Sequence, residues 1–275
     1  MIENSKGGAG VHPSAIVEDG ARLGAGVEIG PFCHVGPHVV LGDGVMLKSH
    51  VVVAGHTTIG ARSRVFPFAS LGHEPQDLKF RGEESTLTIG SDCLIREGVT
   101  MNPGTAGGRL ETVIGDRCAF LANSHVGHDC HIGHDCVFSN NAMLAGHVTV
   151  GDFVICGGGS AIVQFARVGS HAFVSGLTGI GADLIPFGLA FGNRGVLMGL
   201  NLVGLKRRNF SREAIHELRR AYRALFAPEG TLKERIEDVS DQYAANAEVK
   251  EILDFMRAGG DKQFCMPEMG KDLLS

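Results

Sequence analysis

Residues 114–180 read IGDRCAFLANSHVGHDCHIGHDCVFSNNAMLAGHVTVGDFVICGGGSAIVQFARVGSHAFVSGLTGI. Every sixth residue from Ile114 is apolar: Phe120, Val126, Ile132, Phe138, Leu144, Val150, Cys156, Ile162, Val168, Val174 and Ile180. Two places before each stands a small or β-branched residue, among them Thr112, Cys118, Ser124, Cys130, Ala142, Ser160 and Thr178. A period of six fits neither an amphipathic helix nor a two-faced strand, so it demands a repeat architecture. The arrangement that satisfies it is a hexapeptide β-helix with one short strand per six residues. The large residue of each repeat fills the prism and the small one fits near a corner. Three hexads close one triangular turn, so residues eighteen apart stack on rungs about 4.8 Å apart.

The same phase starts at Val11 and continues through Val17, Leu23, Ile29, Val35, Leu41, Leu47, Val53, Ile59 and Val65 to Leu71. Two inserts interrupt it. Residues 73–86 (HEPQDLKFRGEEST) are polar, and residues 102–111 (NPGTAGGRLE) shift the phase by one before Ile114. Loops inserted into a solenoid project from one face and often build a binding site. After Ile180 the pattern fades through a Gly-rich passage to Asn201, which divides the chain into a coil over residues 1–190 and a helical domain over 191–275. In that second part Ser211 caps a helix with the stripe Ile215, Leu218, Tyr222, Leu225 and Phe226. Thr231 and Glu234 form a capping box for a second helix, and Val249, Ile252, Leu253 and Met256 mark a third over 247–257. The expected fold is an all-β parallel β-helix with a C-terminal α-helical domain.

Composition agrees with this. The 40 glycines avoid the interior positions and mark corners, and the absence of Trp suits a narrow prism. Of the 7 cysteines all but Cys265 sit at interior positions of the repeat, where they act as small hydrophobes. An odd number in those places suits a reducing compartment. A net charge of −5 argues against bulk nucleic-acid binding. The N-terminus lacks a signal layout and no apolar run is long enough to span a bilayer, so a cytoplasmic protein without a membrane span is expected.

Among the 13 histidines, His125, His128, His131, His134 and His147 cluster, all outside the interior positions. Any one of them can be simply a surface residue. A zinc reading fails within one chain, because His125 and His131 point from different faces and no Cys-x-x-Cys pair supports them; ligation across a subunit interface stays open. Stacking favours a third reading. Gly146 lies eighteen residues above His128, with His147 beside it and Gln164 above Gly146. Asp129 can orient the His128 imidazole, which makes a general-base constellation. The cysteines point inward and no Gly-x-Ser-x-Gly elbow is present, so any acyl transfer is expected to be direct. Lys206, Arg207, Arg208, Arg212, Arg219, Arg220 and Arg223 make the one basic zone, either a solvated helix face or a site for an acidic partner or phosphate.

With VHPSAIVEDGA, LKSHVVVAGHTTIG, QDLKF, NSHVGHDC, NNAMLAGHV and GLKRRNFSREAI, the chain resembles the acyl-[acyl-carrier-protein]–UDP-N-acetylglucosamine O-acyltransferase family, nearly end to end. The resemblance implies a left-handed coil, a homotrimer with sites between subunits, and transfer of an (R)-3-hydroxyacyl chain from acyl carrier protein to UDP-GlcNAc at the start of lipid A synthesis. His128 would be the general base, Asp129 its orienting partner and the Gly146 N–H the oxyanion donor. Gln76, Asp77, Lys79, His125, His147, Gln164, Asn201 and Arg207 match substrate-contacting positions, and Gly176 falls where the family sets acyl length. The basic C-terminal zone would meet the acidic carrier protein. No cofactor or metal is implied. Three departures fall where sugar and nucleotide should bind: Val163 for a His, Asn102-Pro103 for His-Arg, and Val203 for a Glu. They keep a 3-amino analogue of the sugar open as acceptor. An N-acyltransferase of the same architecture, a hexapeptide carbonic anhydrase and a non-catalytic scaffold are the competing readings.

Overall fold

The computed structural model describes residues 10–268. Short strands, most of two residues, lie along three faces, and through the coil each pairs in parallel with the one a full turn later, as Val126 with Leu144 and Ile132 with Val150. The first face is an 11-stranded sheet, the second has 9 strands and the third 8. The coil is left-handed, against the usual right-handed crossover. Its corners show how the chain turns so tightly. Most corners hold a residue at positive φ, as Asp129 at 59°, His147 at 63° and Phe165 at 65° do in one column, and Asn and Asp tolerate that region better than most residues.

The interior is the column of large residues expected from the sequence. Phe120 and Phe138 stack with their ring centroids 4.9 Å apart, and Ile29, Leu47, Ile95 and Val174 are buried with them. Full burial of such a side chain contributes roughly 1.5–3 kcal/mol, and each further coil repeats the gain. All 7 cysteines are free and buried. The first insert lengthens the pairing interval from eighteen residues to the thirty between Leu71 and Met101, and the second gives the twenty-five between Met101 and Val126, so both loops leave the stacking intact.

Beyond Ile180, where the hexad pattern fades, the coil continues. Gly188–Phe191 adds a last parallel rung to the first face, and Val196–Leu200 folds back on it antiparallel. This hairpin straddles residue 190, so the last rung is shared between the two segments divided in the sequence. Helix α1 (Leu202–Arg207) follows, then α2 (Arg212–Leu225), α3 (Leu232–Gln242) and α4 (Ala247–Arg257). Ser211 caps α2, and Thr231 with Glu234 forms the full capping box of α3. Leu218, Tyr222 and Leu225 are buried on α2, which packs against α3 and α4, where Val239, Ile252 and Met256 are buried in turn.

Candidate active site

His125 opens the strand His125–Val126 on the second face, and the chain turns at Gly127–Asp129 before starting the third face at His131. The turn carries His128 outward, yet the side chain is only 7% exposed: Gly146 and His147 pack against the ring, and the insert at 102–111 bonds its neighbour Asp129. His128 is therefore not one of the solvated surface histidines. Its Nδ1 lies 2.8 Å from Asp129 Oδ2. Asp129 is fully buried, which opposes its ionisation; hydrogen bonds from His128, the Thr105 hydroxyl and the Thr105 and Arg109 N–H groups outweigh that and hold its pKa below the usual carboxylate range. A carboxylate surrounded by donors is an acceptor, so Nδ1 carries the proton and Nε2 presents its lone pair.

One coil on, the Gly146 backbone covers that ring so closely that a Cβ would overlap it. The neighbouring His147 N–H donates to the His128 carbonyl at 2.8 Å. Gly146 is buried, and among the described residues its N–H has no acceptor. A buried unpaired N–H is costly, and this one belongs to the backbone packed against the His128 ring.

The other candidates divide into two groups. His125 is half-buried, bonded through Nδ1 to the Thr100 hydroxyl at 2.7 Å, and its pKa is lowered by burial and by His128. The His147 ring stands edge-on to His128 with centroids 4.9 Å apart and stacks on Phe165. Burial lowers its pKa, and the charge of Asp129 partly opposes that. Gln76, Lys79 and Gln164 are exposed. Gly176 is exposed at the corner between the first and second faces, three rungs beyond His125.

Asn201 and Arg207 are not with this group. α1 sits over the corner column Phe153–His171–Phe187, between the third and first faces. Asn201 is buried as its cap, accepting the Gly204 N–H at 3.0 Å and donating to the His171 carbonyl at 2.9 Å. Arg207 is exposed. Arg208, counted with the basic zone, instead donates to the Phe153 carbonyl at 2.8 Å and lies over its ring. Of the departures, Val163 and Val203 are exposed, whereas Asn102 is buried and donates to the His73 and Glu74 carbonyls of the first insert, each at 3.2 Å.

Sequence spacing missed Thr105 and Arg109, which come next to Asp129 only through the path of the insert. His128, Asp129 and His147 place three potential metal-ligand atoms within 4.8 Å of one another. The oxygens of Asp129 are already taken by four donors, so a cation would have to displace them. Cys130, the nearest thiol in sequence, is buried and its pKa is pushed up to about 12 by that burial, which removes it as a nucleophile. A cavity of roughly 600 Å³ lies elsewhere, between the third face at Thr149 and Arg167 and α4 at Glu251 and Phe255.

A coil of hexapeptide rungs with a carboxylate-held imidazole on its edge defines a hexapeptide-repeat transferase, and the bacterial transferase hexapeptide model matches residues 20–55 and 111–146. A second model, described as UDP-N-acetylglucosamine O-acyltransferase, domain 2, matches residues 183–265. The chain is 67% identical over 94% of its length to the acyl-[acyl-carrier-protein]–UDP-N-acetylglucosamine O-acyltransferase of Methylobacterium radiotolerans, with 94% of that protein covered. To the enzyme of the same name from Rhizobium etli it is 52% identical, covering 98% of this chain and 99% of the other. The solved LpxA of Acinetobacter baumannii superposes with a TM-score of 0.90 at 36% identity, covering 94% of this chain and 99% of that one. The chain belongs to the acyl-[acyl-carrier-protein]–UDP-N-acetylglucosamine O-acyltransferase family.

Proposed function

We propose that this protein transfers an (R)-3-hydroxyacyl chain from acyl carrier protein to the 3-hydroxyl of UDP-N-acetylglucosamine, the first step of lipid A synthesis. The observation that carries the reading is the acceptorless Gly146 N–H stacked over His128, whose Nδ1 is bound to a buried carboxylate. His128 Nε2 takes the proton of the sugar hydroxyl as its oxygen attacks the thioester carbonyl. The Gly146 N–H receives the oxyanion as it forms. Collapse breaks the C–S bond, and the imidazolium returns its proton to the departing thiolate. Asp129 holds the ring through both transfers. No metal, cofactor or acyl-enzyme takes part.

Gln76, Asp77, Lys79, His125, His147 and Gln164 line the approach as substrate contacts. Gly176 would bound the acyl chain, three rungs or roughly 14 Å further along the coil. Asn201 and Arg207 lie at another corner of the same chain, which supports a homotrimer in which the site sits between subunits. Met143, Val163 and Phe165, 47%, 42% and 42% exposed beside the site, supply an apolar surface for a neighbouring copy to cover. The exposed arginines Arg212, Arg220 and Arg223 of α2 suit an acidic carrier protein. The reading carries a cytoplasmic location and a coil over 1–190 with a helical domain over 191–275; among the described residues no helix is long and apolar enough to cross a membrane.

The test is an acyl-transfer assay on UDP-N-acetylglucosamine and its 3-amino analogue with 3-hydroxyacyl carrier proteins of several lengths. His128→Ala should keep its fold and lose ~10²–10⁴-fold in kcat. Unchanged turnover in that variant, or no transfer to either sugar by the wild type, would refute the reading.

A further inference from the structure

The insert at 102–111 is more than a cover. The Asp129 carboxylate accepts the Thr105 hydroxyl at 2.7 Å, the Thr105 N–H at 3.1 and 3.2 Å and the Arg109 N–H at 2.6 Å. Gly108 lies so close that a Cβ would overlap the carboxylate. All of these donors come from the insert, and the coil adds only the His128 ring. Two imidazoles flank the carboxylate: His128 Nδ1 is 2.8 Å from Oδ2, and His147 Nδ1 is 3.8 Å from the same oxygen. A small rotation about the Asp129 side-chain torsions would therefore redistribute it between the rings.

We propose that Thr105 is a positioning residue whose hydroxyl locks the Asp129 carboxylate onto His128 rather than His147. Locked, the carboxylate holds one tautomer of His128 and aims Nε2 beneath Gly146. Unlocked, it divides its bonding between two rings, and neither is held for proton transfer. This rests on the reading of His128 as the base. It concerns a side chain on a loop that touches no reacting atom and whose register the hexad count does not give.

The test compares Thr105→Val, Thr105→Ala and Thr105→Ser with His128→Ala. Thr105→Val keeps the shape and removes the hydroxyl. It should lower kcat about tenfold or more while KM for sugar and carrier protein stays near wild type, as loss of an orienting partner does. Thr105→Ala carries the same expectation without any bulk to fit, should the valine disturb the loop. Thr105→Ser should restore kcat. The downfield Nδ1–H proton resonance of His128 should be sharp in the wild type and serine variant and broadened in the other two. Valine and alanine variants with wild-type kcat, or with a raised KM alone, would overturn the proposal. If His128→Ala is inactive while Thr105→Val is normal, the positioning role alone falls; an active His128→Ala removes the base assignment itself.

Discussion

Gly146 is a residue whose missing side chain is the feature the site uses. Any Cβ there would enter the His128 ring, and that ring cannot retreat, because Asp129 holds Nδ1 and the chain is fixed by the His147 N–H. Gly146→Ala should therefore fold, since φ there is not of the left-handed kind, and lose about 10²-fold or more in kcat by displacing the base. Steady-state kinetics beside a melting curve checks this; full activity with an intact fold would mean the ring and the glycine do not act together. His171 offers a pH test at the same scale. It stacks between Phe153 and Phe187 at 4.8 and 5.3 Å, and burial, then the Arg208 charge, lowers its pKa from 6.5 to about 4. Between those values the unfolded chain binds a proton that the folded chain refuses, so stability falls as pH drops through that window. The loss is at most about 3 kcal/mol and less where solvent reaches the ring. His171→Phe keeps the stack and removes the proton site, so urea midpoints measured from pH 7 to 4.5 should fall less steeply than in wild type. An equal slope would show that this ring does not titrate with folding.

At the scale of elements, the two inserts act as one unit. Asn102 donates to the His73 and Glu74 carbonyls, and the Glu83 carboxylate accepts the Ala106 N–H at 2.9 Å. Asn102→Ala removes the first tie, so amides of 73–86 should exchange faster with deuterium while the coil strands exchange as before. Exchange unchanged in that segment would show the loops to be independently held. The rungs were legible because every sixth interior residue obeys one steric demand, and the stacking of Gly146 on His128 follows from that count alone. Helices α2 to α4 were legible from Ser211, the Thr231–Glu234 box and their apolar stripes. The final hairpin was not: Gly188–Phe191 leaves the hexad count, and its antiparallel partner answers to a pairing between segments rather than a local period. α1, six residues long, is too short for a helical stripe to show. Thr105 was hidden for a related reason, since an insert has no register until its path is known, and Asn201 matched a contact position although its local chemistry is that of a cap.

At the scale of the whole molecule, the question is what ties the helical domain to the coil. Arg167, on the third face, bonds the fully buried Asp183 through Nε at 2.7 Å, donates Nη1 to the Phe255 carbonyl of α4 at 3.1 Å and lies over the Phe255 ring at 4.3 Å. The Asp183 backbone in turn pairs with Gln263 and Cys265 beyond α4. Coil, α4 and the segment after it thus meet at one ion pair. A buried pair contributes little net stability over an apolar replacement, but removal of one partner strands the other and costs about 3–5 kcal/mol. Arg167→Met should therefore destabilise the molecule by that amount in urea unfolding, and the helical far-UV signal should be lost at lower denaturant than the β signal. Adding Asp183→Asn, which removes the stranded charge yet keeps an acceptor for the Arg167 N–H at 2.8 Å, should recover much of the loss. If the double variant is no more stable than Arg167→Met alone, the cost lies in the lost contacts to Phe255 and not in the uncompensated carboxylate.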